Sequence, residues 1–140
     1  MTAQQTIDRL LEKTHWIVSK RDNLNCKIDL LDCTLELSSP DTQCLMLRAD
    51  IAAFSANEEE HLNLSKKFAY LNASFAKNAI SRVVIENETW ILEQVISSLE
   101  LSSFNIEECV ENFLNNYDYI KSQMHEDKQN SMPFDLTMLL

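Results

Sequence analysis

Glycine is absent from this 140-residue chain. Loops that cradle phosphates need residues that accept positive φ and let the backbone come close to the ligand, so neither a P-loop nor a dinucleotide fingerprint is possible. Nothing in the chain can drive work with ATP on its own, and binding to a partner should be passive. Cys-x-x-Cys pairs are also missing. Cys26, Cys33, Cys44 and Cys109 lie 7, 11 and 65 positions apart, which rules out a zinc knuckle and a thioredoxin-type motif and leaves reduced thiols in or near the core. The three histidines, His15, His61 and His125, share no metal-ligand spacing, so no metal and no cofactor is expected.

Positive charge is scarce as well. Twelve Lys and Arg face 22 Asp and Glu, for a formal charge of -10. Such a surface repels phosphate backbones, so nucleic acid is excluded as a partner. The acidity serves solubility and would also draw in a basic segment of another protein. No apolar run approaches the roughly 18 residues that cross a bilayer, and the start of the chain carries Asp8 and Arg9 inside an amphipathic pattern, unlike a signal peptide. Membrane insertion and export are not expected, and the protein should stay in the cytoplasm.

What is present suits one folded domain. Hydrophobic residues make up 45% and charged residues 24% of the chain, too apolar for disorder, and a chain of this length buries about 68% of its unfolded surface. Ile7, Leu10, Leu11, Thr14 and Ile17 or Val18 hold the i, i+3, i+4, i+7 spacing of a first helix of about 15 residues, with Thr2 or Thr6 as cap. Residues 20–23 are polar and break that period. Leu24, Cys26, Ile28 and Leu30 then alternate with polar residues, as do Cys33, Leu35 and Leu37; a Ser38-Ser39-Pro40-Asp41 turn leads to a more continuous strand over residues 44–53. Asn57 and Glu60 open a second helix with an Asn-x-x-Glu cap, and Leu64, Phe68, Leu71 and Phe75 carry its apolar face. Residues 80–85 and 89–101 read as a hairpin turning at Glu86-Asn87-Glu88, where Asn87 can adopt a left-handed conformation. Ser102 and Ser103, or Asn105 with Glu108, open a last helix with a stripe of Ile106, Val110, Phe113, Leu114, Tyr117 and Ile120. The fold class is therefore α+β, a single domain with the order helix, three-strand meander, helix, two-strand hairpin, helix. That domain spans residues 1–122. Residues 123–140 form a polar and then apolar tail, ending in Met132, Pro133, Phe134, Leu136 and Met138 to Leu140.

No catalytic constellation stands out. A Cys/His nucleophilic pair could form in space from Cys26, Cys33 or Cys44 with His15 or His61, although core thiols and surface imidazoles explain the same residues. Glu58, Glu59, Glu60, Glu107 and Glu108 fall in first helical turns, where carboxylates complement the helix dipole. Trp16 and Trp90 read as core or interface residues. The chain is read as non-enzymatic.

The element order resembles the class I type III secretion chaperones, the family that includes the Tir chaperone, over roughly residues 5–121. The most specific stretch runs from Leu62, Asn63 and Leu64 through Phe68, Tyr70, Leu71 and Asn72 to Phe75, followed by a strand pair at Ile80 to Ile85 and Trp90 to Ile96. No catalytic motif defines that family. The chain departs from it in lacking glycine at the turns where members often have one, and the apolar tail lies outside the pattern. The resemblance implies a bacterial cytoplasmic homodimer, built through the second helix and the neighbouring hairpin, that serves virulence by keeping the N-terminal segment of one or more secreted effector proteins extended, soluble and secretion-competent. It adds the ATPase of the secretion apparatus as a further partner. A sheet with few helices leaves apolar surface uncovered, and a client can fill it with alternate side chains while adding a strand to an edge. Residues assigned to the effector groove are Leu10, Ile17, Ile28, Leu31, Leu35 and Leu37, with Leu30 beside them; Leu31 is out of phase with Leu24, Cys26, Ile28 and Leu30 and is placed on the open face. Leu64, Phe68, Leu71, Phe75 and Trp90 are assigned to the dimer interface, each with the intramolecular core as its alternative. Two other readings stand beside this one: an adaptor or regulatory protein that binds a folded partner, and a Cys-dependent enzyme.

Overall fold

The computed structural model describes residues 3–22, 25–30, 33–39, 44–76, 81–97 and 106–130, with backbone only at 3–4, 74–76 and 125–130. The chain runs α1 (Ala3–Thr14), β1 (Val18–Arg21), β2 (Asn25–Asp29), β3 (Thr34–Ser38), β4 (Cys44–Ala53), α2 (Glu58–Ala76), β5 (Arg82–Glu86), β6 (Thr89–Ser97) and α3 (Ile106–Asn130). All six strands join one antiparallel sheet in the order β1-β2-β3-β4-β6-β5. The α+β class and the three-helix order stand as read from sequence, with one strand added.

That strand comes from an early end to the first helix. Thr14, Ile17 and Val18 fit helical spacing, but His15 takes φ 56° and its N–H donates to the Leu11 carbonyl at 3.1 Å. This is the left-handed helix stop that glycine usually provides. Trp16 and Ile17 leave the helix, and residues 18–21 become β1, paired with β2. Polar residues form this strand because it lies at an edge, where only its pairing partner and not a buried face selects it. At the hairpin, Asn87 and Glu88 both take positive φ, 52° and 57°, and close β5 onto β6 as a two-residue turn of the type whose twist suits a hairpin.

Register makes the core. Ile28, Leu35, Ala49, Leu92 and Val83 lie side by side across β2, β3, β4, β6 and β5, and Cys26, Leu37 and Leu47 form the next row. All are buried. They meet Ile7 and Leu10 of α1, Phe68 and Leu71 of α2, and Val110, Phe113, Tyr117 and Ile120 of α3. Helix α3 is fixed to β4 where that strand's pairing with β6 shifts between Asp50 and Ala52. The Tyr117 hydroxyl donates to the Asp50 carbonyl at 2.8 Å and Lys121 Nζ to the Ile51 carbonyl at 2.6 Å. These two donors satisfy part-buried backbone acceptors at the irregular stretch of the ladder.

Two local expectations change. Asn57 caps α2 as anticipated, its Oδ1 accepting from the Glu60 N–H at 3.1 Å. The Glu60 carboxylate, however, accepts from the Ser55 hydroxyl, which itself accepts from the Asn57 N–H; serine relays the contact that a capping box makes directly. The stretch from Gln123, expected to leave the fold, continues α3 to Asn130. Buried Lys67 of α2 donates to the Gln123 carbonyl at 2.9 Å, and Met124 packs on the core. With no Gly or Pro in residues 121–130 nothing breaks the helix there. The apolar residues 132–140 lie outside the described residues.

The edge strand β5 is partly closed by a side chain. Asn72 of α2 accepts from the Val83 N–H at 2.6 Å and donates to the Val83 carbonyl at 2.9 Å, taking the place of a neighbouring strand at one residue. Replacing it removes both partners from a half-buried backbone pair, which costs about 1–3 kcal/mol. Asn72→Ala should lower the denaturant midpoint accordingly and raise self-association measured by light scattering; an unchanged midpoint would show that water serves Val83 equally well.

Candidate functional site

Helices α1 and α3 pack side by side and leave an open groove of about 380 Å³ between them. Leu10 and Val110 form its buried floor, and half-buried Trp16 and Leu114 form its walls. Glu107 and Glu111, one turn apart on α3, stand at its rim. Lys13 Nζ of α1 reaches across to Glu107 Oε1 at 3.0 Å. The early stop of α1 places Trp16 in the groove and puts Ile17 just beyond it, with 75% of its surface exposed. The chain then enters β1, an outer strand of the sheet. Exposed Arg21 at the far end of β1 pairs with Asp8 of α1. An apolar groove, an exposed isoleucine and a sheet edge thus follow one another along a single side of the molecule.

The sheet face turned away from the helices has a different character. Lys27, Glu36, Arg48, Glu93 and Arg82 are successive partners across β2, β3, β4, β6 and β5, a row of alternating charge. Arg48 Nε lies 3.2 Å from Glu93 Oε2, Arg82 Nη2 2.7 Å from Glu93 Oε1, and Arg48 Nη2 2.5 Å from Glu86 Oε2. A shallow polar groove of about 450 Å³ over this row is lined by Lys27, Glu36, Arg48, Asp50, Glu86 and Ile91. Arg48 and Glu86 in its lining pair within the chain, and its surface is polar where the groove at α1 and α3 is apolar. The hydrogen bond from Arg48 holds the Glu86 carboxyl below its ordinary value, assisted by the guanidinium charge, and the same bond raises Arg48.

Two of the residues that suggested thiol chemistry, Cys26 and His61, are packed into the structure. Burial pushes the Cys26 thiol above its ordinary range, Arg21 opposing and Asp8 adding to the effect, so it stays protonated where a nucleophile needs the thiolate. The His61 ring packs at 4.7 Å from Phe54 and 5.7 Å from Trp90, whose ring lies 4.9 Å from Phe68. No group of His, Cys, Asp or Glu that could hold a metal occurs among the described residues, and no described helix is long and apolar enough to cross a membrane.

Of the residues assigned to the effector groove, Leu10 is at the groove floor and Ile17 at its outer end. Ile28, Leu35 and Leu37 are fully buried beneath the helices, which corrects their placement on an open surface. Alternation identifies one face of a strand but cannot say whether helices cover it. Leu30 is half-buried against the core, and Leu31 lies outside the described residues. Among the residues assigned to the dimer interface, Phe68, Leu71 and Trp90 are buried in the chain's own core and half-buried Leu64 packs against it. The Phe75 side chain lies outside the described residues. The groove-lining Trp16, Val110 and Leu114 were legible only as members of apolar stripes, since nothing in a stripe marks the seam between two helices.

Solved structures share this architecture. The HopA1-SchA chaperone-effector complex aligns over 85% of this chain and 92% of that chain, with a TM-score of 0.63 and 13% identity. The ExsC-ExsE complex aligns over 84% and 90%, with a TM-score of 0.63 and 11% identity. The Yersinia pestis type III secretion chaperone SycH, in complex with a stable fragment of YscM2, aligns over 84% and 98%, with a TM-score of 0.50 and 11% identity. The chain has the type III secretion chaperone fold. No family model and no curated relative matches it by sequence, so the likeness is one of architecture. What the chaperone fold supplies here is a sheet with a covered apolar face, an acidic groove beside α1 and an outer strand next to it.

Glu86 provides a pH test of the charged face. A lowered carboxyl contributes stability that is present above its ordinary value of 4.5 and is lost as the pH falls through the depressed folded value. The melting temperature of Glu86→Gln should therefore lie below that of the parent near neutral pH and converge with it in acid. A gap that persists at strongly acidic pH would show that the carboxylate charge is not responsible.

Proposed function

We propose that this protein is a class I type III secretion chaperone that binds the N-terminal segment of a secreted effector in extended form, in the bacterial cytoplasm. The observation that carries the reading is the continuous run of apolar groove, exposed Ile17 and outer strand β1 along one side of the molecule. An extended client would place alternate side chains in the groove and add its backbone to β1. Its anchors have no fold of their own to break, so release needs no covalent step. The chain acts passively, without catalysis or cofactor.

Magnitudes favour a paired assembly. Two or three apolar anchors contribute about 1.5–3 kcal/mol each, and ordering a disordered segment costs about 2–5 kcal/mol. One groove therefore retains little net affinity. Backbone bonds at β1 add about 0.5–1.5 kcal/mol each, and a second copy binding the same client raises avidity further. The homodimer is accordingly part of the proposal. With Phe68, Leu71 and Trp90 inside the core, exposed Leu62 of α2, Ile85 of β5 and Val95 of β6 are the large apolar residues of α2 and the hairpin left, among the described residues, to meet a second copy. Docking to the ATPase of the secretion apparatus, and service to virulence, complete the reading.

Purification from the native cytoplasm should yield a dimer-sized complex, by light scattering, containing a secreted protein. The N-terminal segment of that protein should resist protease in the complex and show no fold when free. Ile17→Asp should weaken client retention about tenfold or more while leaving the melting temperature within about 2 °C, because a surface change of this kind alters stability little. A partner that is folded when free would make the chain an adaptor instead.

A further inference from the structure

The groove between α1 and α3 is apolar at its floor and acidic at its rim. On the reading of this groove as the client site, we infer that the segment it accepts carries a lysine or arginine two positions from an apolar anchor. Leu10 and Val110 are each 1% exposed and supply the seat for the anchor. Above them, Lys13 pairs with Glu107, and among the described residues no ion pair forms at Glu111. Like charges one turn apart on a helix are mildly destabilising, so the uncompensated carboxylate costs the free protein stability and remains open to a partner's cation.

Spacing sets the position of that cation. Residues i and i+2 of an extended segment point to the same side about 6.6 Å apart, and one turn of α3 advances about 5.4 Å. An anchor resting on this floor against Leu114 therefore leaves the next side chain on that face, about one turn back along α3, within reach of Glu111, three residues before Leu114, while the intervening residue points to solvent. The chain's charge of -10 adds a long-range term of the same sign, raising the encounter rate with a basic segment. An apolar segment flanked by acidic residues meets the same seat but is repelled at the rim. Selectivity for clients would then come from charge and retention from the apolar anchors.

Two fluorescein-labelled synthetic peptides test this. Both are extended, with leucines alternating with serines, and differ only in carrying Lys or Glu two positions after the central leucine. By fluorescence anisotropy against the full chain at low salt, the Lys peptide should bind about two- to fivefold more tightly, the range of an exposed ion pair. The ratio should approach one in 0.5 M salt. Glu111→Lys should reverse the preference, and Glu108→Lys, on the same helix but outside the groove, should leave it intact. Equal binding of the two peptides, or a preference that survives Glu111→Lys, overturns the inference while leaving the client groove standing. Binding of neither peptide overturns both, as does conversion of a dimer to monomer on peptide addition, which would mark the groove as the seat of a second copy. A gain in affinity for both peptides on removal of residues 131–140 would assign the groove to the chain's own end and would likewise overturn the inference.

Discussion

The pairing of β4 with β6 is the constraint on which the rest of the molecule depends. It matches nine residue pairs between strands separated by the whole of α2 and β5, and it joins the four-strand meander to the hairpin. Because side chains alternate along a strand, that register decides which residues share a face. Ala49 opposite Leu92 continues the apolar row begun by Ile28 and Leu35, and Leu45 opposite Ile96 adds a further apolar pair. Arg48 opposite Glu93 continues the charged row on the reverse side. A slip by one residue would put guanidinium groups under the helices and leucines in water.

Each face of the sheet is closed by a different means. The three described helices cover the apolar face, and α3 is tied down by Tyr117 and Lys121 at the irregular end of β4. Ion pairs among Arg48, Glu93, Arg82 and Glu86 occupy the other face. An antiparallel sheet with one wet side usually presents polar residues there; here they also neutralise one another. The apolar groove is consequently found beside the sheet and not on it, at the seam of α1 and α3, with the outer strand β1 next to it. At the opposite edge, Asn72 occupies the backbone of Val83, which makes the two edges unequal. Strand addition is favoured where no side chain already takes the edge.

The missing glycines show how backbone geometry can be met by other residues. His15, Asn87 and Glu88 adopt positive φ, each at a modest cost that packing or pairing offsets. Asn87 could be anticipated, since asparagine tolerates this region. His15 could not, because histidine is no helix-stop signal and the apolar spacing continued through Ile17. This single conformation creates β1, brings Trp16 into the groove and exposes Ile17, so the part of the candidate site that depends on it was hidden from a reading of periodicity.

The amino-acid order by itself determined the α+β class, the element sequence apart from β1, the Asn57 cap, the turn at Asn87 and the acidic surface, because each follows from local propensity or from a count. It also singled out Leu10 and Ile17, which the structure places at the floor of the groove and just beyond it. Tertiary structure alone decided that Ile28, Leu35 and Leu37 are covered, that Phe68, Leu71 and Trp90 fill the chain's own core, that α3 continues to Asn130, and that the groove lies between two helices. The physical reason is that periodicity records which side of an element is apolar, whereas coverage of that side depends on elements distant in the chain, whose placement is set by long-range register and packing.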